Sequence, residues 1–277
     1  MNDLIVERLS EALRPVRGLA ALVLGGSRAR GTAGPASDYD FGLYYEAAAP
    51  LNVDDLRAAI APVVDDPDKA AVTEIGGWGP WINGGGWLSI AGRKVDLLYR
   101  DLARVRAIVD DCAAGRIAMA YQPGHPHGFC SAIWMGEVAL CAPVRDETSV
   151  IADLKSRTWP YPESLRRALI AEFHWEVAFA IGNAEIAVPR GDATHIAGCA
   201  YRALCCIAQV LFALNRRYLI NEKGALAEAG GFPETIERAG ETAAAIWAAI
   251  GAREFARALE LLRGMAAELD GLVARSN

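Results

Sequence analysis

The stretch "SDYDFGLYY" (37–45) sets two aspartates, Asp38 and Asp40, on either side of one tyrosine. Its alternation predicts a strand, and side chains two apart on a strand leave the same face. Two neighbouring carboxylates repel unless a cation lies between them, which makes the pair a candidate Mg²⁺ site. The plain alternative is a polar strand start after the Gly34-Pro35 turn, with Asp38 capping or solvated. A third acid, Asp96, stands in "RKVDLLY" (93–99). There Val95, Leu97 and Tyr99 form one apolar face, and Lys94, Asp96 and Leu98 the other. A carboxylate set in an otherwise apolar strand needs a partner. Three such acids could supply oxygen ligands to two Mg²⁺ ions about 3.5–4 Å apart, the spacing suited to in-line phosphoryl displacement.

About ten residues before the paired acids lies "LGGSRARG" (24–31). Gly25, Gly26 and Ser27 follow an apolar run and open a short helical segment. Backbone N–H groups at such a turn point at an anion, and bare glycines let a phosphate come close. Ser27 adds a hydroxyl donor. Arg28 and Lys94 could reach a triphosphate, and each could equally be solvated; Arg30 flanks the same turn.

Weaker features each carry a bland reading. "GHPHG" (124–128) holds His125 and His127 with only Cys130 near, which is thin for zinc and suits a structural turn or a loop beside substrate. Glu172 and Glu176 sit one helical turn apart, as wet-face glutamates do. His195, Arg202, Gln209 and Arg216 recur every seven residues as a narrow polar stripe, either a solvent face or a cleft lining. Trp78, Trp81 and Trp87 suit either a sugar or aglycone face or a core.

The elements that must hold these residues fall into two styles. Residues 3–13 have helical spacing ended by Pro15, "LAALVL" (19–24) reads as a buried strand, and 53–64 reads as a helix opened by Asp54 or Asp55. Residues 86–101 read as a hairpin turning at Ala91-Gly92-Arg93, and "GGWGPWINGGGW" (76–87) as a loop. Beyond about 150, four long amphipathic patterns follow at 163–183, 192–217, 233–248 and 252–274, with no strand of useful length. The expected fold is α+β: a mixed sheet with helices over 1–148, then an all-helical bundle over 149–277.

The chain has 277 residues, is 53% hydrophobic and 22% charged, and carries a formal net charge of −6. That composition is globular and offers no broad basic surface to duplex nucleic acid. The first 24 residues lack a basic head followed by an apolar run, and no uninterrupted apolar stretch is long enough to span a bilayer. The six cysteines show no CxxC pair or zinc-type spacing and read as buried thiols. A cytoplasmic protein without membrane contact is expected.

Strand, Gly-Gly-Ser turn, Asp38-Tyr39-Asp40 and a later lone Asp96 together resemble the nucleotidyltransferase superfamily that includes DNA polymerase β. The resemblance spans roughly 19–100. The helical half looks more loosely like the substrate domain of kanamycin- and streptomycin-type antibiotic adenylyltransferases. It implies transfer of a nucleoside monophosphate, AMP from ATP, to a hydroxyl of a small acceptor with release of pyrophosphate. Asp38 and Asp40 would hold both Mg²⁺ ions, and Asp96 the catalytic one while accepting the acceptor's proton. Gly25, Gly26, Ser27, Arg28 and Lys94 would bind the nucleotide. The same resemblance makes Lys223 a triphosphate contact and either Glu172 or Glu176 an acceptor-side base. Two other readings stay open: an antitoxin-type adenylyltransferase that modifies a protein partner, and a nucleotide-binding regulator without turnover.

Overall fold

The computed structural model describes residues 3–276. The first helix, α1 (Leu4–Ala12), starts where the Asp3 carboxylate accepts the Ile5 N–H at 3.1 Å. Next come β1 (Ala21–Leu24), the one-turn α2 (Gly26–Ala29), β2 (Tyr39–Tyr45) and α3 (Val53–Ile60). Asn52, not Asp54 or Asp55, caps α3, its side chain accepting the Asp55 N–H at 2.8 Å. Then follow β3 (Ala71–Val72), β4 (Gly85–Ile90), β5 (Arg93–Asp101) and α4 (Leu102–Ala113). The β4–β5 hairpin turns at Ala91 and Gly92, both with positive φ (51° and 70°), the geometry that matches strand twist in a two-residue turn.

A short ribbon of β6 (Met119–Ala120) and β7 (Phe129–Cys130) precedes α5 (Ala132–Leu140), β8 (Ala142–Arg145) and α6 (Val150–Ser156). The rest is helical: α7 (Glu163–Ala187), α8 (Ala193–Leu214), α9 (Ala225–Ala229), α10 (Ala239–Gly251) and α11 (Phe255–Ser276). The fold is therefore α+β, a mixed sheet with helices followed by a helical region.

The chain divides into two compact units, but not by one cut between 148 and 149. The first comprises residues 1–111 and 134–160, the second 112–133 and 161–277. The reason is local. In α6 the Lys155 ammonium donates to the carbonyls of Val138, Ala139 and Cys141, tying it to the end of α5. In the second unit, the residue-131 and residue-118 backbones pair across the ribbon, and the Ser164 hydroxyl donates to the Ala113 carbonyl at the head of α7.

The first unit is built on a six-stranded sheet of order β3-β4-β5-β2-β1-β8. Only β2 and β5 run parallel; the other pairs are antiparallel. One face is the core: Phe41, Leu43, Val95, Leu97 and Tyr99 pack with Leu9, Leu13, Leu56 and Ile60 of α1 and α3 and their flanks. On the opposite face Arg100 is only 2% exposed and donates twice to Glu137 of α5, at 2.9 and 2.8 Å. That covers one end of the face, and the acids lie toward the other.

The second unit centres on α7 and α8, consecutive helices joined by a short turn and packed along their lengths. Among the described residues α8 is the one helix long and apolar enough to cross a membrane, yet 72% of that window is buried. It is the bundle's core helix, with Ala203, Cys206, Ile207, Val210 and Leu211 fully enclosed.

Candidate active site

The parallel pairing of β2 and β5 sets Asp40 directly opposite Asp96. Since alternate residues share a face, both carboxylates lie on the side away from the core. Asp38, one residue before β2, is exposed on the same lead-in. It lines a cavity of about 580 Å³ together with Asp96, Lys94, Trp87 and Ser89.

Asp40 is held beneath the glycine turn. The Gly25 N–H donates to the Asp40 carbonyl at 2.7 Å, locking the turn to the strand. Gly26 has φ +59°, and a Cβ placed on it would stand 1.9 Å from Asp40 Oδ2. Only glycine meets both demands, the left-handed backbone and the close approach. The turn and the acid pair are thus one device, and Ser27 follows within α2.

The neighbours on β4 complete the wall. Trp87 pairs across from Asp96, and Ser89 from Lys94. Trp87 is 57% exposed and stacked on Trp78 with centroids 4.6 Å apart, so a broad aromatic plane borders the acids. Trp81 packs edge-on against Trp134 inside the first unit instead. Asp65 also borders the cavity; it accepts from Ser89 Oγ, Ala91 N and Gly92 N at 2.6–2.8 Å, which holds its carboxyl below the ordinary range, the serine bond first. Asp65 and Asp66, which line the same cavity, carry no sequence signal, since an acid after a helix forms no motif, and from sequence Trp87 fits a site border and a core equally.

The other candidates lie on other elements of the chain. Arg28 donates to the carbonyls of Ser37 (2.7 Å) and Asp38 (3.1 Å), and its guanidinium lies 3.6 Å from the Tyr39 ring centroid. It braces the strand entry. Lys223 is exposed in the second unit, after α8. Glu172 and Glu176 are half-buried on α7, where Glu176 accepts from Arg202 and from the Cys206 thiol. Along the seven-residue stripe on α8, His195 is exposed, Arg202 is ion-paired to Glu176, and Gln209 is 5% exposed. Arg216 lies beyond the helix and pairs with Glu163 at 3.0 Å.

Among the described residues no three His, Cys, Asp or Glu side chains are gathered as a ready cage for an ion. Mg²⁺ does not require one, since it is usually held by one or two carboxylates plus substrate phosphates and water. The oxygen-only donors Asp38, Asp40 and Asp96, beside a glycine turn suited to phosphate, fit a hard divalent cation arriving with a nucleotide.

Residues 5–114 match the family described as "Nucleotidyltransferase domain". The match contains Gly25, Gly26, Ser27, Asp38, Asp40 and Asp96. Residues 138–223 match a "Domain of unknown function (DUF4037)". Comparison with curated proteins finds no match. Among solved structures, a nucleotidyltransferase-like protein from Exiguobacterium sibiricum aligns at 11% identity and TM-score 0.37, over 93% of this chain and 71% of the other.

Proposed function

We propose that the protein transfers a nucleoside monophosphate, AMP from ATP, to a hydroxyl of a small-molecule acceptor, with Mg²⁺. The observation that carries this reading is the pairing of Asp40 with Asp96 beneath a turn whose Gly26 abuts Asp40. Asp38, Asp40 and Asp96 would hold the divalent cations, which supply charge neutralisation at the α-phosphate. The Gly25–Ser27 turn would take the β- and γ-phosphates through its N–H groups and the Ser27 hydroxyl. Lys94, on the same cavity wall as Asp96, would add positive charge to a phosphate. Trp87 would offer a ring face to a planar base or sugar. Asp96 would accept the proton of the attacking hydroxyl, and positioning would supply most of the rate. The resemblance to kanamycin-type enzymes makes Glu172 or Glu176 the alternative base.

The test is release of pyrophosphate from ATP and other nucleoside triphosphates, with aminoglycosides, lincosamides and protein extract as acceptors. Asp40→Asn and Asp96→Asn should lower transfer by about 10²-fold or more. Either variant turning over at the native rate removes these acids from the chemistry. If Glu172→Gln or Glu176→Gln lowers kcat at unchanged nucleotide affinity, that glutamate is the base. Labelled protein in the extract, without a small-molecule product, would favour the protein-modifying reading.

A further inference from the structure

Helix α7 buries one side in the second unit and leaves an apolar side uncovered. Trp175 is 54% exposed, Phe179 61% and Ile186 67%. With Gly182 they recur at intervals of four, three and four residues, the spacing that lines side chains up in one stripe along a helix. The Trp175 and Phe179 rings touch, with centroids 5.4 Å apart. Beside Gly182 the stripe has a gap, since a Cβ placed there would meet nothing within 4 Å outside the helix's own backbone. Asn183 does not fill it, because its amide donates back to the Phe179 carbonyl at 2.8 Å. Large apolar side chains grouped on a surface helix mark an interaction surface, whereas scattered ones do not.

The order of sizes along the stripe says what fits it. Trp175 and Ile186 lie equally far from its midpoint, and so do Phe179 and Gly182. A second copy of α7 laid antiparallel therefore sets Trp175 against Ile186 and Phe179 against Gly182, each pair occurring twice. The Phe179 ring of one copy enters the gap at Gly182 of the other, as a knob enters a hole. A parallel copy would stack Phe179 on Phe179 and leave Gly182 facing a void. The charges agree with the antiparallel arrangement. Nearby Glu176 and Glu185 already pair with Arg202 and Arg263. Glu172, three residues before Trp175, and the exposed Arg190, four residues past Ile186, enter no ion pair among the described residues. Antiparallel pairing brings Glu172 of each copy to the end of the stripe where Arg190 of the other stands.

We propose that the exposed face of α7 is the interface of a two-fold symmetric dimer of this chain, with the helices antiparallel and Phe179 of each copy seated on Gly182 of the other. A two-fold interface uses one patch twice, so it requires a self-complementary pattern, which this stripe has. Each exposed ring offers on the order of 100 Å², since a fully buried aromatic side chain covers about 150–250 Å². A standard interface takes about 800 Å² from each partner, so the stripe forms the apolar centre and the flanking turns supply the rim. A dimer of micromolar affinity is expected. The proposal concerns the second unit and does not depend on nucleotidyl transfer.

The test is sedimentation equilibrium of the full chain across the micromolar range, which should show a monomer–dimer equilibrium. Phe179→Ala removes the knob and Gly182→Phe fills the hole, and each should weaken the dimer by about tenfold or more. The combined exchange, Phe179→Ala with Gly182→Phe, again sets a ring against a small residue and should return the dissociation constant to within about threefold of native. Circular dichroism should be unchanged in all three variants, because Phe179 is exposed and Gly182 borders open space. Arg190→Glu sets like charges together and should weaken the dimer more at low salt than at high salt. A chain that stays monomeric throughout the range, single variants that dimerise as the native chain does, or an exchange variant no tighter than the single ones would each overturn the proposal.

Discussion

Replacing Gly26 by alanine tests whether the glycine turn and Asp40 work as one device. Two costs are built into the position. At φ +59° an L-residue is in the left-handed region, worth roughly 1–2 kcal/mol against any side chain. The new methyl would also stand 1.9 Å from Asp40 Oδ2 and 2.9 Å from its Cγ. The atoms met belong to the far end of a side chain and not to the backbone, so the overlap is relieved by displacing the carboxyl. Displacement, however, moves the carboxyl from its place on the strand face that it shares with Asp96. Displacing a reacting group by about 1 Å costs on the order of 10²-fold in rate. Gly26→Ala should therefore lose only about 1–2 kcal/mol in urea denaturation but about 10²-fold or more in pyrophosphate release.

A double-mutant cycle isolates the contact. In Asp40→Ala the carboxyl is gone, and the nearest remaining atom to the added methyl is Asp40's own Cβ position, 3.3 Å away. Adding Gly26→Ala to that background should cost only the backbone term and no further activity. The reasoning fails if Gly26→Ala keeps native turnover, or if its activity loss adds in full to that of Asp40→Ala.

Three further outcomes follow from the same coordinates. Glu137→Gln leaves the Arg100 guanidinium, 3% exposed, without its counter-charge, and should cost about 3–5 kcal/mol by denaturation; a loss below 1 kcal/mol would show that Arg100 finds other partners. His127 titrates at 6.5 unfolded and about 4 folded, so between those values only the unfolded chain takes the proton. Stability should fall by about 3 kcal/mol as pH drops from 6.5 to 4 and level off below, and His127→Gln should lose that part of the slope. Trp87→Ala should raise the nucleotide or acceptor KM by about tenfold with a small change in kcat, the stacking of one ring being worth about 1–3 kcal/mol. An unchanged KM for every substrate would make the Trp78–Trp87 stack a purely structural one.

The legible parts of the chain were those governed by local rules. Alternation in 39–45 and 93–99 gave two strands and their faces, and glycines followed by an apolar stop gave the turn, because period-two patterning and left-handed φ are properties of a few residues. That Asp40 and Asp96 share a register was not legible, since 56 residues separate them and the pairing is set by the sheet. Nor was α5: "AIWMGEVAL" is apolar apart from Glu137, so it carries little amphipathic signal, and the structure shows why, with Trp134, Met135 and Val138 all buried. The polar stripe on α8 fits either a wet face or a cleft lining from sequence, because Arg202 and Gln209 are polar. The partners of Arg202, His127 and Glu176, come from distant segments, and a half-buried ion pair is invisible until both halves are placed.

The segment matching the nucleotidyltransferase family, 5–114, is not the whole of the unit that holds its acids. β8 pairs with β1 through Leu22, Val23 and Leu24, and it lies outside that segment. So does Glu137, which neutralises Arg100 four residues along β5 from Asp96. Without those later residues β1 becomes an open edge and a guanidinium is stranded in the sheet. The acid-bearing strands are held in register from both ends: by the glycine turn at Asp40 on one side, and on the other by an ion pair supplied from the segment 134–160. Under the proposed function, carboxylates kept adjacent before a cation arrives would gain from that rigidity, because the strands cannot relax apart.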